Sequence, residues 1–154
     1  MSLQANLVDS EEGLATIIRD ARTVAVIGIK DGRDDEHAPA FTIPRVLQHR
    51  GLRIIPVNPQ LEEVLGERAY PNLAAIPEPF DVAQIFRRAE HVPAIADEIL
   101  ALPAARRPRV VWMQTGISHA AAADRLASAG MLVVQNHCMK IFAMRYRDMT
   151  YPTI

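Results

Sequence analysis

The sequence predicts an α/β protein of the Rossmann-like, doubly wound kind: a five-stranded parallel sheet with helices on both faces. Three observations predict it. Five apolar runs, residues 23–29, 52–57, 81–86, 109–114 and 131–134, are nearly continuous rather than alternating, which is how strands covered on both sides read. Helix-like spacing lies between most of them, and the turns that join them are short and punctuated by glycine or Asn-Pro.

Taken in order, Asp9 and Ser10 precede Glu11 and Glu12, and Leu14, Ile17 and Ile18 follow at helical spacing, so a capped N-terminal helix is expected over about 10–21. The first strand, 23–29, is bounded by Gly28. A helix over 39–49 follows, with Pro44 expected to push its start towards Thr42 or Ile43 because proline lacks a backbone donor. Gly51 closes that helix, and the second strand stops at Asn58-Pro59.

A loop and the short segment 72–76 lead to the third strand, 81–86, and then to an alanine-rich helix over 91–102 with Ile95, Ile99 and Leu102 on one side. The fourth strand, 109–114, turns at Thr115-Gly116 into a helix over about 118–128. Gly130 ends that helix before the fifth strand, 131–134. The segment 141–151 reads either as a helix against the sheet or as part of a dimer contact. With no internal repeat or linker, one domain over 1–154 is expected, its Rossmann core at about 22–147.

Composition excludes several classes. Of the 154 residues, 49% are apolar and 23% charged, and the net charge of -1 offers no basic field to a nucleic-acid backbone. Cys138 is alone and makes no internal disulfide, no apolar run reaches membrane-spanning length, and the first ten residues lack a signal peptide's apolar stretch. A cytoplasmic protein is expected. His37, His49, His91 and His119 are scattered, so no metal site is expected, and His119 suits a helix-capping position.

In a sheet of this kind ligands bind beyond the carboxyl ends of the strands. The stretch VAVIGIKDGRDDEHAP, residues 24–39, holds Gly28 and Gly32 but not the Gly-x-Gly-x-x-Gly spacing of a dinucleotide site. By pattern alone it is equally a phosphate cradle, with Gly28 admitting a phosphate and Lys30 supplying charge, or a strand ending in a turn. The second strand ends in Val57-Asn58-Pro59 without the acidic residue that would bind the ribose of NAD.

The segments VAVIGIKD, RIIPVNP, YPNL, IPEPFDVAQIFRRAEHVP and VVWMQTGI, followed by a cysteine after the fifth strand, resemble in that order the small stand-alone CoA-binding proteins. Their fold is similar to the CoA-binding domain of succinyl-CoA synthetase α subunits. The resemblance covers about 22–147 and implies CoA or an acyl-CoA as the small-molecule nucleotide ligand. It implies that Gly28, Ile29 and Lys30 lie along the nucleotide, that Val57, Asn58 and Pro59 line the cleft beside it, and that Phe86 and Arg87 close the next strand end. It places Gln114, Thr115 and Gly116 along the pantetheine arm, and Asn136 and Cys138 near the thiol.

Ala38 stands where stand-alone members often carry an arginine, Gln60 where the synthetase branch tends to have a phosphate-contacting lysine, and Asn136-His137-Cys138 where the tail often reads Asp-Arg-Cys. Cys138 is open to two readings, a reactive thiol meeting the CoA sulfur or an inert, packed cysteine. Synthetase chemistry needs a second domain with a phosphorylated histidine, so ligase activity is not expected here. Three functions follow. The first is non-catalytic binding of CoA or an acyl-CoA, as carrier, buffer or sensor. The second is a nucleotide- or nicotinamide-dependent enzyme completed by a partner chain, and the third an interaction module without ligand. A homo-oligomer or a protein partner is compatible with each.

Overall fold

The structure is a computed structural model that describes residues 3–150. A short helix, α1 (Leu3–Asn6), precedes α2 (Glu11–Asp20), β1 (Thr23–Ile27), α3 (Pro39–His49) and β2 (Arg53–Val57). A two-stranded hairpin, β3 (Glu63–Val64) and β4 (Glu67–Arg68), comes next. Then follow β5 (Val82–Ile85), α4 (Val92–Ala101), β6 (Val110–Met113), α5 (Ala120–Ser128), β7 (Leu132–Val134) and α6 (Met139–Tyr146). The main sheet is parallel throughout, in the order β2-β1-β5-β6-β7. The expected α/β, Rossmann-like, doubly wound fold is thus what the chain adopts.

Alternation along the strands explains the two cores. On β1, Ala25 and Ile27 face Ile95, Ile99 and Leu126 from the side of α4 and α5. Val24 and Val26 face Leu14, Ile18, Leu47 and Phe142 from the side of α2, α3 and α6. Each fully buried isoleucine or leucine contributes about 1.5–3 kcal/mol, which is why a continuous apolar run survives only between two helical layers. The segment that was open between helix and dimer contact is largely α6, packed through Met139 and Phe142 into the second core. Tyr151, the far end of that expectation, lies outside the described residues.

The α2 cap is as expected: Ser10 Oγ accepts the Gly13 amide at 3.1 Å. The expected start of α3 is not. That helix begins at Pro39, which needs no amide partner at the first helical position, and it continues through Pro44. Pro44 cannot donate to the carbonyl of Ala40, and that carbonyl instead accepts the Lys30 backbone amide at 3.1 Å. The missing helical bond is therefore a tether between the loop after β1 and α3.

Both edges of the sheet are covered. Tyr70 pairs with the outer side of β2, donating its amide to Pro56 O at 2.9 Å, so the proline's missing donor faces the edge where it is tolerated. Leu7 bridges β7 through Val133 on the far side. The hairpin β3–β4 turns through Leu65 (φ 56°) and Gly66 (φ 75°), and Gln48 Nε2 donates to Leu65 O at 2.9 Å. A leucine at a left-handed turn position gives no sequence signal, so this hairpin was not expected.

Glu11 joins α2 to α6. Its carboxylate accepts from Tyr146 Oη at 2.5 Å and pairs with Arg145, and these partners, Tyr146 first, hold it below the ordinary glutamate value. A depressed carboxyl stabilises the fold above its unfolded-state pKa and loses that contribution as pH falls through the folded-state value. Acidification below the ordinary glutamate range should therefore lower the thermal midpoint of the wild type modestly more than that of Glu11→Gln. Parallel melting curves for the two proteins would exclude the linkage.

Candidate functional site

In the main sheet β1 connects to β2 on one side, while β5, β6 and β7 build outwards on the other. The chain thus reverses its direction of growth between β1 and β5. Loops leaving the carboxyl ends of these two strands diverge and leave a crevice. Gly28 follows β1 there, and Phe86, Arg87 and Arg88 follow β5.

Gly28 has φ 86°, and its amide donates to Val57 O at 3.0 Å. A Cβ at this position would lie 2.7 Å from the Phe86 carbonyl oxygen and 3.0 Å from Arg87 Cδ. The glycine is required because the end of β5 closes over the β1 turn. Asn58 fastens the same corner, its Nδ2 donating to Ile29 O at 2.8 Å and its Oδ1 accepting the Gln60 amide at 2.8 Å.

Two lobes flank the ridge 86–88. One, of 680 Å³, is lined by Gly28, Lys30, Val57, Asn58, Pro59 and Gln60, with Asn72 and His91 opposite. Lys30 and Arg87 are exposed here, and among the described residues neither makes an ion pair. Arg88 is 3.9 Å from Glu90 and mostly in solvent. The other lobe, of 550 Å³, runs from the ridge to Pro39 and Ile43 of α3, and on to Gln114, Thr115, Gly116, Ile117 and Cys138. Beside the hairpin lies a separate hollow of 690 Å³ with Asp31, Glu62 and Glu63 in its wall. Arg33, the cation there, is held by Asp31, whose carboxyl the Arg33 hydrogen bond keeps below its ordinary value, so this hollow repels phosphate.

The far wall of the 550 Å³ lobe is built by hydrogen bonds across the sheet. Gln114 is 5% exposed, and its Oε1 accepts from Gln84 Nε2 at 3.3 Å and from the Met139 amide at 3.2 Å. Trp112 Nε1 donates to His137 O at 2.8 Å, which anchors the loop between β7 and α6.

The sequence profile of the CoA binding domain family matches residues 22–144. The chain belongs to this family. The protein YneT of Bacillus subtilis (strain 168) is 32% identical over 132 residues, which cover 86% of this chain and 93% of YneT. Among solved structures, cell-free ID.343 from Thermus thermophilus superposes with a TM-score of 0.79 at 32% identity, over 90% of this chain and 99% of that one. A dinucleotide-forming acetyl-coenzyme A synthetase 1 from Ca. Korarchaeum cryptofilum matches with a TM-score of 0.59 at 22% identity. It shares the fold over 76% of this chain and 27% of its own.

This CoA-binding domain brings eleven of the thirteen residues singled out from sequence to the two lobes: Gly28, Lys30, Val57, Asn58, Pro59, Phe86, Arg87, Gln114, Thr115, Gly116 and Cys138. The side chain of Ile29 is fully buried in the α2–α3–α6 core with Val24 and Val26, because the left-handed turn at Gly28 breaks the alternation that would have put it on the face of Ile27. Asn136, at φ 58°, lines neither lobe, and its Oδ1 accepts the Gly116 amide at 2.7 Å, bracing the loop after β6. Both act on the lobes from behind.

His137 turns away from Cys138, its Nε2 lying 2.6 Å from Asp9 and its ring edge-on to Phe142. His119 caps α5, Nδ1 accepting the Ala122 amide at 3.1 Å. His37 lies outside both lobes, beside Glu36 at 3.5 Å. Pro39, Ile43, Ile117, Asn72 and His91 line the lobes without a linear signal, since packing between elements decides which helix and loop residues face a strand end. Among the described residues no His, Cys, Asp or Glu cluster suits a metal ion, and no helix is long and apolar enough to cross a membrane.

Proposed function

We propose that the protein binds CoA or an acyl-CoA without transforming it, the nucleotide phosphates lying against Lys30 and Arg87 and the pantetheine arm running past the 86–88 ridge into the 550 Å³ lobe. One observation carries this reading. Two cations without carboxylate partners line the polar lobe at the switch point, and that lobe continues across the ridge into a largely apolar one. CoA has this polarity, anionic at one end and amphipathic along the arm.

The absence of chemistry is supported by the committed state of the polar groups near the thiol end. The Gly116 amide, a possible oxyanion donor, is engaged by Asn136, and the His137 ring is engaged by Asp9. Among the described residues no carboxylate or imidazole lines the 550 Å³ lobe to serve as a general base. A nicotinamide dinucleotide fits less well: the second strand ends in Val57-Asn58-Pro59, without a carboxylate there for the ribose hydroxyls.

Thermal shift tests the reading. A ligand at about 100 times its Kd adds roughly 2.7 kcal/mol, several degrees for a chain of this size. CoA should give that shift at concentrations where NAD gives none; the reverse order would favour the nucleotide-dependent enzyme. Lys30→Ala should weaken CoA binding by roughly 1–3 kcal/mol, the range for a charge-assisted phosphate contact, while leaving the ligand-free melting temperature almost unchanged. Calorimetric titration of both proteins measures it, and equal affinity would return Lys30 to the solvent.

A further inference from the structure

We propose that the 550 Å³ lobe recognises a neutral, short-chain acyl thioester, the buried Gln114 amide donating to the thioester carbonyl and the apolar walls receiving the chain. This rests on the CoA-binding reading above and names which form of the ligand the site selects. Gln114 is 95% buried in the sense that only 5% of it is exposed, and its orientation is set from outside the lobe. The Met139 backbone amide can only donate, so the atom it meets at 3.2 Å is Oε1, and Gln84 Nε2 adds a second donor to the same oxygen. Nε2 is left with two protons and no hydrogen-bond partner among the described residues, in a side chain that lines the lobe. Gln114 Nε2 is not among the buried polar atoms left without a partner, so it stays reachable from the lobe, and the ligand atom that would pair with it is a carbonyl oxygen.

Free CoA ends in a thiol, a poor acceptor, whereas an acyl thioester places a carbonyl at that end of the molecule. The wall of the lobe includes Pro39, Ile43, Phe86, Ile117 and Cys138, uncharged groups that suit methylenes. Arg87 and Arg88, which also line the lobe, stand exposed on the 86–88 ridge, at the boundary shared with the polar lobe. A carboxylate at the end of a dicarboxylic acyl chain would lose its hydration against the apolar wall and find in the lobe cations that are themselves in solvent, a weak return.

Four ligands on the wild-type protein test this: CoA, butyryl-CoA, S-butyl-CoA, which has the chain but no carbonyl, and succinyl-CoA. Isothermal titration should find butyryl-CoA binding about tenfold or more tighter than CoA, and roughly fivefold to tenfold tighter than S-butyl-CoA. Succinyl-CoA should bind more weakly than butyryl-CoA. In Gln114→Glu, which keeps the acceptor for Met139 and replaces the donor, butyryl-CoA should lose its advantage over S-butyl-CoA; a variant that fails to fold leaves the wild-type ligand series to decide. Equal affinity for butyryl-CoA and S-butyl-CoA overturns the role of Gln114. Equal affinity for butyryl-CoA and CoA overturns the lobe as an acyl site, and tighter binding of succinyl-CoA overturns the preference for a neutral chain. If none of the four binds, it is the CoA-binding reading itself that fails.

Discussion

Gly28→Ala should destabilise the ligand-free protein by about 2–4 kcal/mol, a melting temperature lower by several degrees or more. Two costs add. A non-glycine residue held at φ 86° is strained by roughly 1–3 kcal/mol. The new Cβ would also sit 2.7 Å from the Phe86 carbonyl oxygen, which is backbone and cannot rotate aside, and 3.0 Å from Arg87 Cδ. To relieve the contact, the ends of β1 and β5 must separate where the two lobes meet. CoA affinity should therefore fall together with stability, in contrast to Lys30→Ala, where affinity alone falls. Gly66 is the control: it has φ 75° but nothing within 4 Å of its would-be Cβ, so alanine there incurs the strain without the clash. Equal destabilisation at Gly28 and Gly66, by chemical denaturation, would show that close approach is not what the glycine serves.

Trp112→Ala should cost about 3–5 kcal/mol, the largest single loss expected in this protein and a considerable part of the roughly 5–15 kcal/mol by which domains are stable. Trp112 is wholly buried in β6, meets Phe142 edge-on with ring centroids 6.0 Å apart, and donates to His137 O. Truncation leaves a cavity between sheet and α6 and frees the loop that carries Cys138. Trp112→Phe separates the two effects. It keeps most of the ring contact but leaves the His137 carbonyl without its donor, for an expected loss of about 1–3 kcal/mol. If the phenylalanine variant is as unstable as the alanine one, the hydrogen bond rather than packing dominates at this position.

Features set by short-range physics are legible in the sequence, and those set by contacts between distant elements are not. Continuous apolar runs mark strands between two layers because burial on both faces is a property of each residue in turn. Gly51, Gly130 and Asn58-Pro59 mark ends because backbone conformation is local. The parallel sheet and its helices follow from these alone. The start of α3 was misplaced because the carbonyl orphaned by Pro44 found its donor in Lys30, on a different element, which no local rule foresees.

Adjacency at 137–138 carries no pairing: His137 is partnered by Asp9, 128 positions away, and faces away from the thiol. Gln114 was visible as an amide at a strand end. What aims its donor is Gln84, 30 residues earlier, and Met139, 25 later, and those contacts exist only once β5, β6 and α6 have packed. The sequence by itself determined the layers and the topology class, through period and backbone preference that act within a few residues. Only the tertiary structure decided which side chains face the two lobes and which of their polar atoms stay free, because hydrogen-bond partners are chosen by packing between elements distant in the chain.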